Sequence, residues 1–197
     1  GVNKGRSPKG TLIPGRDGRL YGTTEFGGVH DLGVIFSLDI ISQQRSLIKL
    51  IDFDGAEKGS NPTGNLILAS NGRLYGMTKN GGAYGYGVIF SIFQDGSGYT
   101  KLLDLNGLGT GSNPKGSLTE FTDGNLYGMT SSGGAYGFGT IFRISPMGTF
   151  TKVLDFDGNN GKAPVGDLLV DVSGTVMYGV TYAGGLNDRG VLFKLQG

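Results

Sequence analysis

Short apolar runs alternate with polar turns along the whole chain, and each run is bounded by glycine, asparagine, aspartate or proline. Such runs, rich in β-branched and aromatic residues, predict β-strands. In one representative stretch we predict four strands, named a to d, at residues 64–69, 73–78, 87–93 and 98–105. Asn71-Gly72 and Asp95-Gly96 lie between them as hairpin turns, because glycine tolerates a positive φ. No stretch shows helical periodicity of useful length.

The same strand pattern occurs four times in tandem. Each repeat begins near a proline, and intervals of 54, 52 and 50 residues separate Pro8, Pro62, Pro114 and Pro164. A Tyr-Gly pair follows 13 or 14 residues after each proline, at Tyr21, Tyr75, Tyr127 and Tyr178. A Gly-Gly pair and then a Gly-x-x-Phe segment follow at intervals of six residues. We therefore predict a single repeat domain over 1–197, with repeats at about 7–60, 61–112, 113–162 and 163–197.

Four antiparallel strands in every repeat of roughly 50 residues are typical of a β-propeller blade. A single small sheet does not bury both of its faces, so each blade must stack on its neighbours. The sequence therefore predicts an all-β fold, a β-propeller of four four-stranded blades. The glycine after each repeated tyrosine predicts a close approach of strand b to the next blade, at Gly22, Gly76, Gly128 and Gly179. A β-solenoid, or another repeated array of sheets, is the alternative architecture.

The last repeat is shorter than the other three. Residues 163–197 number 35 and stop after the third strand, so we predict that the last blade lacks its outer strand, the counterpart of residues 101–105. We favour closure of the ring as four blades, one of them three-stranded. Two alternatives stay open. The chain is a piece of a longer repeat array, or a partner supplies a strand to the open sheet edge.

The pattern also resembles a known tandem repeat. Leu74-Tyr75-Gly76-Met77-Thr78, Gly81-Gly82, Gly87-Val88-Ile89-Phe90 and their equivalents, with Asp52-Phe53-Asp54-Gly55, carry the resemblance. They are similar to the GloVer tandem repeat of bacterial surface and secreted proteins, and the likeness covers nearly the whole chain. This resemblance implies a tandem architecture and an extracellular or cell-surface location, but it implies no defined activity.

Composition and charge exclude several classes of function. Glycine makes up 40 of the 197 residues, against a usual ~7%, which disfavours long helices. Cysteine is absent, which excludes thiol catalysis, cysteine zinc sites and disulfides. The net charge of +1 gives no electrostatic basis for binding nucleic acid. No apolar run approaches the ~18–20 residues that a helical membrane span requires, so no membrane insertion is expected.

The loops between strands b and c, and those from strand d to the next repeat, are predicted on one side of the blades. Tyrosine beside amides and carboxylates suits a carbohydrate ligand, because the ring stacks on a pyranose while polar groups bind its hydroxyls. The candidate ligand-binding residues are Tyr84, Tyr136, Asn80, His30, Asp31, Asn187, Asp188, Asn61 and Asn113. In these loops the first and fourth repeats carry His30-Asp31 and Asn187-Asp188, where the other two repeats carry Tyr-Gly. Four identical sites are therefore not expected. Packing of each tyrosine within its own loop is the alternative.

Two further groups of polar residues have candidate roles. Asp54 and Asp157 are weak candidates for Ca²⁺ ligands, since calcium binds carboxylate and carbonyl oxygens. A full calcium loop with a distal glutamate is absent, and Asp-Gly is ordinary turn chemistry, so no cofactor is expected. A threonine ends strand b in every repeat, and its hydroxyl is expected to tie the following Gly-Gly turn, at Thr24, Thr78, Thr130 and Thr181.

Three functions follow from these residues, in order of preference. The first is a non-catalytic extracellular binding module with repeated loop sites for carbohydrate. The second is a structural surface protein that self-associates, or joins a larger parent chain, through the open sheet edge. The third is a polysaccharide-active enzyme. It ranks last because His30 is the single imidazole and no Gly-x-Ser-x-Gly elbow occurs. The enzyme hypothesis is retained because glycoside hydrolysis uses a pair of carboxylates, and the chain offers Glu25, Glu57 and Glu120.

Overall fold

The computed structural model describes residues 4–42 and 46–196. Within these residues the chain forms sixteen β-strands and no α-helix, as the sequence predicts. The strands build four antiparallel sheets. The chain divides into two compact units, the first ending at Asp104 and the second beginning at Leu105, and each unit contains two sheets. No helix in the described part of the chain is long and apolar enough to cross a membrane.

The first unit contains sheets 1 and 2. Sheet 1 is built from β1 (Arg6–Pro8), β2 (Ile13–Pro14), β3 (Leu20–Phe26), β4 (Val34–Leu38) and β5 (Leu47–Asp52). Its strand order is β1-β3-β4-β5, and β2 also pairs with β3. Sheet 2 is built from β6 (Ile67–Leu68), β7 (Leu74–Met77), β8 (Val88–Ile92) and β9 (Thr100–Asp104), in that order.

The second unit contains sheets 3 and 4. Sheet 3 is built, in order, from β10 (Thr119–Glu120), β11 (Leu126–Thr130), β12 (Thr140–Ile144) and β13 (Phe150–Asp155). Sheet 4 is built from β14 (Lys162–Val170), β15 (Val176–Ala183) and β16 (Leu192–Gln196). Sheet 4 therefore has three strands among the described residues, which confirms that the last blade lacks its outer strand there. Closure of the four sheets into a ring stays a prediction.

The predicted strands of the second repeat are all found, but each is shorter than predicted. Strand a shows the largest difference, since β6 covers two residues where the sequence predicts 64–69. The preceding segment contains Pro62, which has no N–H to donate. Beside it, Asn65 Oδ1 accepts a hydrogen bond from Thr11 N of sheet 1 at 2.6 Å. A side chain thus links the two sheets at a place where we predicted part of strand a.

Each sheet has two apolar faces, which we name after residues of sheet 2. The tyrosine face carries Tyr75 and, in the other sheets, Tyr21, Tyr127 and Tyr178. The leucine face lies on the opposite side and carries Leu66 and, in the other sheets, Leu12, Leu118 and Leu168. The strand register supports this division, because Ile67, next to Leu66, pairs with Tyr75.

The core of each unit lies between two sheets. In the first unit, Tyr21 and Ile35 of sheet 1 cluster with Leu66 and Phe90 of sheet 2. The second unit repeats the arrangement, and its core includes Tyr127, Ile141, Phe156, Leu168, Met177 and Phe193. In both units the tyrosine face of one sheet therefore packs on the leucine face of the sheet that follows it along the chain.

The glycine after each repeated tyrosine has a different neighbour from the one predicted. A Cβ atom at Gly76 would lie 2.6 Å from Phe90 Cζ and 2.9 Å from Leu66 Cδ2. Both side chains belong to the same sheet as Gly76, and Gly76 is paired with Phe90 across strands. The prediction that this glycine allows a close approach to the next blade is therefore wrong. Because glycine has no side chain, the phenylalanine ring of the neighbouring strand fits against it.

Candidate functional site

The loops that join strand b to strand c have the same backbone hydrogen bonds in repeats 2 and 3. In repeat 2, Gly85 N donates to Gly82 O at 3.2 Å and Gly87 N donates to Gly81 O at 2.9 Å. Residues 133–139 make the equivalent bonds in repeat 3. The four glycines of this loop in repeat 2 (Gly81, Gly82, Gly85 and Gly87) all have a positive φ, which glycine adopts without strain. The main chain therefore holds each loop in one shape.

A buried threonine ties the start of each loop to strand c. Thr78 Oγ1 donates to Asn80 O at 2.9 Å and accepts from Val88 N at 3.0 Å. The same pair of bonds is made by Thr24, Thr130 and Thr181. The predicted role of this threonine in tying the turn is confirmed, and the structure adds the bond to strand c.

The aspartate at the end of strand d holds the same loop from the other side. Asp104 Oδ1 accepts from Ala83 N at 2.8 Å, and Lys101 Nζ lies 3.0 Å from Asp104 Oδ2. Asp52 and Asp155 make equivalent contacts. Sequence reasoning missed this role. The signal was present, because a lysine stands three residues before the aspartate in all three strands.

In repeats 1 and 3, hydrogen bonds lower the pKa of the aspartate at this position. Burial alone would raise the pKa of Asp155, but hydrogen bonds from Lys152 and from the Ala135 N–H outweigh it and lower the pKa. The pKa of Asp52 is lowered for the same reasons. An ionised carboxylate is the stronger hydrogen-bond acceptor for the loop amide.

Exposed aromatic rings stand at the tips of the loops of repeats 2 and 3. Tyr84 and Tyr136 occupy equivalent positions and expose 61% and 62% of their surface. Tyr86 and Phe138, two residues further on, are also exposed. Tyr84 and Tyr136 were predicted from the sequence as ligand-binding residues, whereas Tyr86 and Phe138 were not. The sequence does indicate this second pair, because an aromatic residue stands directly before the equivalent glycine in both repeats.

In the equivalent loops of repeats 1 and 4, an aspartate that forms an ion pair occupies the position of the glycine that follows Tyr84 and Tyr136. Arg6 binds Asp31 through two hydrogen bonds, of 3.1 and 2.7 Å. Lys162 Nζ lies 2.8 Å from Asp188 Oδ1 at the matching position. Both aspartates also accept a hydrogen bond from the first glycine of the Gly-Gly pair. These contacts give Asp31 and Asp188 a structural role, and ligand binding by them stays a prediction.

Three of the candidate asparagines make hydrogen bonds to other loop residues, and the bond from Asn61 to Glu25 joins neighbouring repeats. Asn80 Nδ2 donates to Asn61 Oδ1 at 3.2 Å, and Asn61 Nδ2 donates to Glu25 O at 3.1 Å. Asn113 O accepts from Ser131 Oγ at 2.7 Å. All three asparagines are half-buried. The structure thus brings Asn61 and Asn80 together, with Tyr84 on the same loop as Asn80.

The remaining candidates are loop residues. His30 and Asn187 are exposed at the positions equivalent to Tyr84 and Tyr136. Asp54 Oδ1 accepts from Lys58 N at 2.8 Å, and its other oxygen binds Lys58 Nζ at 2.6 Å. Asp157 accepts from Asn160 N at 2.9 Å. Within the described residues no group of three or more acidic, histidine or cysteine side chains is placed to hold a metal ion.

The chain belongs to the Gloeobacter/Verrucomicrobia repeat family, whose model matches residues 1–193. The match agrees with the resemblance that the Tyr-Gly and Gly-Gly segments indicate. No curated protein matches the chain in sequence.

Solved structures share the fold at low identity. A chain of a nidogen/laminin complex is 19% identical, with a TM-score of 0.62 over 96% of this chain and 65% of that one. A gluconolactonase from Xanthomonas campestris is 13% identical, with a TM-score of 0.60 over 94% and 56%. TolB from Acinetobacter baumannii is 11% identical, with a TM-score of 0.59 over 97% and 40%.

These likenesses establish the fold class. The solved structures are β-propeller proteins, and the chain has the β-propeller fold, as the sequence predicts. The chain spans between 40% and 65% of the length of the three chains compared. At such low identity the likeness shows the fold alone.

Proposed function

We propose that this chain is a binding module for carbohydrate and that each of the aromatic loops of repeats 2 and 3 is a ligand-binding site. Tyr84 and Tyr136 carry this proposal, because each exposes more than 60% of its surface at the same place in its repeat. The repeated tyrosines of strand b behave differently, since Tyr21 and Tyr75 are fully buried. The strand-b tyrosines of the first three repeats therefore belong to the core, whereas Tyr84 and Tyr136 are presented to solvent.

The chemistry of the loop tip suits a sugar. Tyr84 and Tyr86 flank Gly85, so one loop presents two aromatic side chains within three residues. An aromatic ring stacks on the apolar face of a pyranose, and its rigidity keeps the entropic cost of binding low. Asn80 belongs to the same loop, and we expect its amide to bind a sugar hydroxyl.

The loop backbone is organised before any ligand binds. Asp104 holds Ala83 N, directly before Tyr84, and Gly85 N is bonded within the loop. A loop that is already ordered loses little conformational entropy on binding, which favours affinity. This order supports a binding role better than a role for the tyrosines as loose loop packing.

A surface of this kind gives weak single sites. Two loops of the same construction, in repeats 2 and 3, provide a second contact for a polysaccharide that carries many equivalent sugars. Binding of the second loop is then intramolecular, and the overall affinity exceeds that of either loop alone. We therefore expect long polysaccharides to bind more tightly than short oligosaccharides.

Titration of the chain with cell-wall polysaccharides and their oligosaccharides tests the proposal. We expect Tyr84→Ala and Tyr136→Ala each to weaken binding about tenfold, since stacking of one ring contributes on the order of 1–2 kcal/mol. Tyr182→Ala is the matched control, because Tyr182 is exposed but lies outside these loops. Absence of binding, or equal binding by all three variants, contradicts the proposal.

We also propose that the module is non-catalytic, needs no cofactor and acts outside the cell or at its surface. The location follows the resemblance to repeats of bacterial surface and secreted proteins. The lack of catalysis follows from the absence of a nucleophile paired with a base among the sequence motifs, and two of the candidate carboxylates bind lysine: Glu25 lies 3.6 Å from Lys9 Nζ and Glu57 lies 3.4 Å from Lys101 Nζ.

A further inference from the structure

The loops between strands b and c of repeats 1 and 4 hold a carboxylate of their own. In repeat 1, Asp31 Oδ1 accepts a hydrogen bond from Gly27 N at 2.8 Å. In repeat 4, Asp188 Oδ1 accepts from Gly184 N at 2.7 Å. In both loops the donor is the first glycine of the Gly-Gly pair. We call the place of this carboxylate, next to that main-chain N–H, the carboxylate position.

The loops of repeats 2 and 3 have the same backbone conformation at this place but no carboxylate. Gly85 and Gly137 stand where the aspartates stand in the other two repeats. The φ values of Asp31 and Asp188 are 58° and 54°, and those of the two glycines are 78° and 79°. All four residues are therefore in the left-handed region. The first N–H of the Gly-Gly pair in repeats 2 and 3 thus lacks the aspartate that accepts from it in repeats 1 and 4.

The carboxylate position is open in repeats 2 and 3. A Cβ atom at Gly85 or at Gly137 would have no atom of the described residues within 4 Å, apart from its chain neighbours. The space in which an aspartate side chain begins in repeats 1 and 4 is therefore accessible to a ligand. Tyr84 and Tyr86 stand on either side of Gly85, and both are exposed. A group bound at this position lies beside the rings of the proposed carbohydrate site.

The cation that pairs with the aspartate is also replaced in repeats 2 and 3. In repeat 4, Lys162 Nζ lies 2.8 Å from Asp188 Oδ1. Ser60 and Ser112 stand at the position of Lys162 in repeats 2 and 3. Both members of the ion pair are thus exchanged together, one for a small neutral residue and the other for glycine. Repeats 1 and 4 fill the carboxylate position from within, and repeats 2 and 3 leave it to a group from outside.

We propose that the carboxylate position of repeats 2 and 3 binds a carboxylate of the ligand, which is then an acidic polysaccharide built from uronic acid sugars. This inference rests on the proposed function and specifies the class of sugar. The sugar ring stacks on Tyr84 or Tyr136, and its carboxylate accepts a hydrogen bond from Gly81 N or Gly133 N. The ligand thereby brings to these loops the group that the other two loops carry in their own sequence.

The chemistry of the position favours a carboxylate over a sugar hydroxyl. A hydrogen bond from N–H to an ionised acceptor is roughly twice as strong as one to a neutral acceptor. In repeat 1 the bond from Arg6, and then the bond from Gly27 N, lower the pKa of Asp31 and so favour the ionised form. The loop of repeat 2 also contains Lys79, which takes part in none of the salt bridges of the described residues. Its positive charge attracts an acidic polysaccharide.

Titration with one polymer in two charge states tests the proposal. Polygalacturonic acid carries a carboxylate on every sugar, and its methyl ester keeps the sugar rings without the charge. We expect the chain to bind the acid at least about tenfold more tightly than the ester, because the ester loses the charge-assisted hydrogen bond. The Tyr84→Ala and Tyr136→Ala substitutions weaken the binding of both polymers, since both stack on the rings.

Filling the carboxylate position from within is the decisive change. A variant with Ser60→Lys, Gly85→Asp, Ser112→Lys and Gly137→Asp copies the ion pair of repeat 4 into repeats 2 and 3 and leaves the net charge unchanged. We expect it to bind the acid only as weakly as the wild type binds the ester, and to bind the ester as the wild type does. Circular dichroism confirms that it is folded. A second variant, with the two aspartates alone, gives the same result if the lysines disturb folding.

Gly124→Asp is the matched control for Gly137→Asp, because each adds one carboxylate to repeat 3. Gly124 has a φ of 75°, and a Cβ atom there would also have no atom of the described residues within 4 Å, apart from its chain neighbours. It lies between β10 and β11, at the opposite end of strand b from the aromatic loop. We expect Gly137→Asp to weaken binding of the acid and Gly124→Asp to leave it unchanged.

The outcomes separate this inference from the proposed function. Equal binding of acid and ester overturns the inference while the proposed function stands. Tighter binding of the acid that the filled variant retains also overturns it, because the carboxylate then binds elsewhere. An equal loss of both polymers in the filled variant overturns it as well, since the position then takes a neutral oxygen. Binding of neither polymer overturns it too, and titration with other polysaccharides then decides the proposed function alone.

Discussion

The hydroxyl of the threonine that ends strand b makes two hydrogen bonds that stabilise this fold. Thr78 is fully buried, and its hydroxyl both donates to Asn80 O and accepts from Val88 N. Without the hydroxyl, Val88 N loses its partner, whereas Asn80 O keeps the hydrogen bond from Ser60 N. A buried polar group without a partner costs far more than the net contribution of one hydrogen bond.

Thr78→Val therefore lowers the free energy of unfolding by about 1–3 kcal/mol, because valine keeps the shape of the side chain but leaves the buried Val88 N–H unpaired. Denaturant unfolding of the folded variant measures the change. Thr151→Val is the control, since Thr151 is exposed on β13 and the substitution shifts stability by less than about 0.5 kcal/mol. Equal effects of the two substitutions contradict the role given to the Thr78 hydroxyl.

Single residues also show where sequence reasoning stopped. The role of the threonine followed from its place before a Gly-Gly turn, because its partners are local. The pairing of Arg6 with Asp31 did not follow, since the two residues are 25 positions apart and meet only through the strand register. Repeats 2 and 3 carry serine and glycine at these two positions, so charge and countercharge are present or absent together.

At the scale of the sheet, glycine and phenylalanine act as a cross-strand pair. Gly128 pairs with Phe142, and a Cβ atom at Gly128 would lie 2.6 Å from Phe142 Cζ and 2.9 Å from Leu118 Cδ2. Gly128 does not have a positive φ, so its requirement is one of space and not of backbone conformation. The ring lies over the glycine and fills the volume that a side chain would take.

Gly128→Ala is expected to lower the free energy of unfolding by about 1–3 kcal/mol, because the added methyl group overpacks a closed site. Phe142→Leu in the same chain is expected to recover part of this loss, and a double-mutant cycle by denaturant unfolding measures the coupling. Gly109→Ala is the control in an exposed loop, where the nearest atoms belong to the Asn106 side chain. No coupling between positions 128 and 142 contradicts this account.

Strands b and c were predicted within about two residues because glycine, tyrosine and phenylalanine recur there at fixed intervals. Strand a was predicted too long, because residues 64–66 look like strand but serve to link sheets through Asn65. The sequence alone also suggested that sheets stack, but it gave no sign of which face meets which. That followed from the register, which places Tyr21 with Ile13 and opposite to Leu12.

Across the whole molecule, the net charge of +1 conceals many local pairings between lysine, arginine and aspartate. The pKa is lowered for a large set of aspartates, which accept hydrogen bonds from loop amides or from basic side chains: Asp31, Asp39, Asp52, Asp54, Asp95, Asp123, Asp155, Asp171 and Asp188. They belong to all four repeats. Their effects on stability therefore act together when the pH changes.

The sign of the pH dependence follows from these lowered pKa values. Each carboxyl binds its proton more weakly in the folded chain than in the unfolded chain, where the pKa is near 3.8. The unfolded state therefore takes up more protons as the pH falls through this range, and folding loses free energy. The stabilisation is complete above the unfolded value and disappears as the pH falls below the folded values.

We expect the melting temperature to be nearly constant from about pH 7 to about pH 5 and to fall steeply between about pH 4 and about pH 2. Asp155→Asn isolates one contribution, because it removes the charge that Lys152 and Ala135 N bind. The variant is less stable than the wild type at neutral pH, and the difference shrinks in acid, where the wild-type carboxyl is itself protonated. Differential scanning calorimetry across the pH series measures both curves. A stability difference that stays constant from neutral to acid pH shows that the carboxylate charge of Asp155 contributes nothing, and that the loop depends on the shape of the side chain alone.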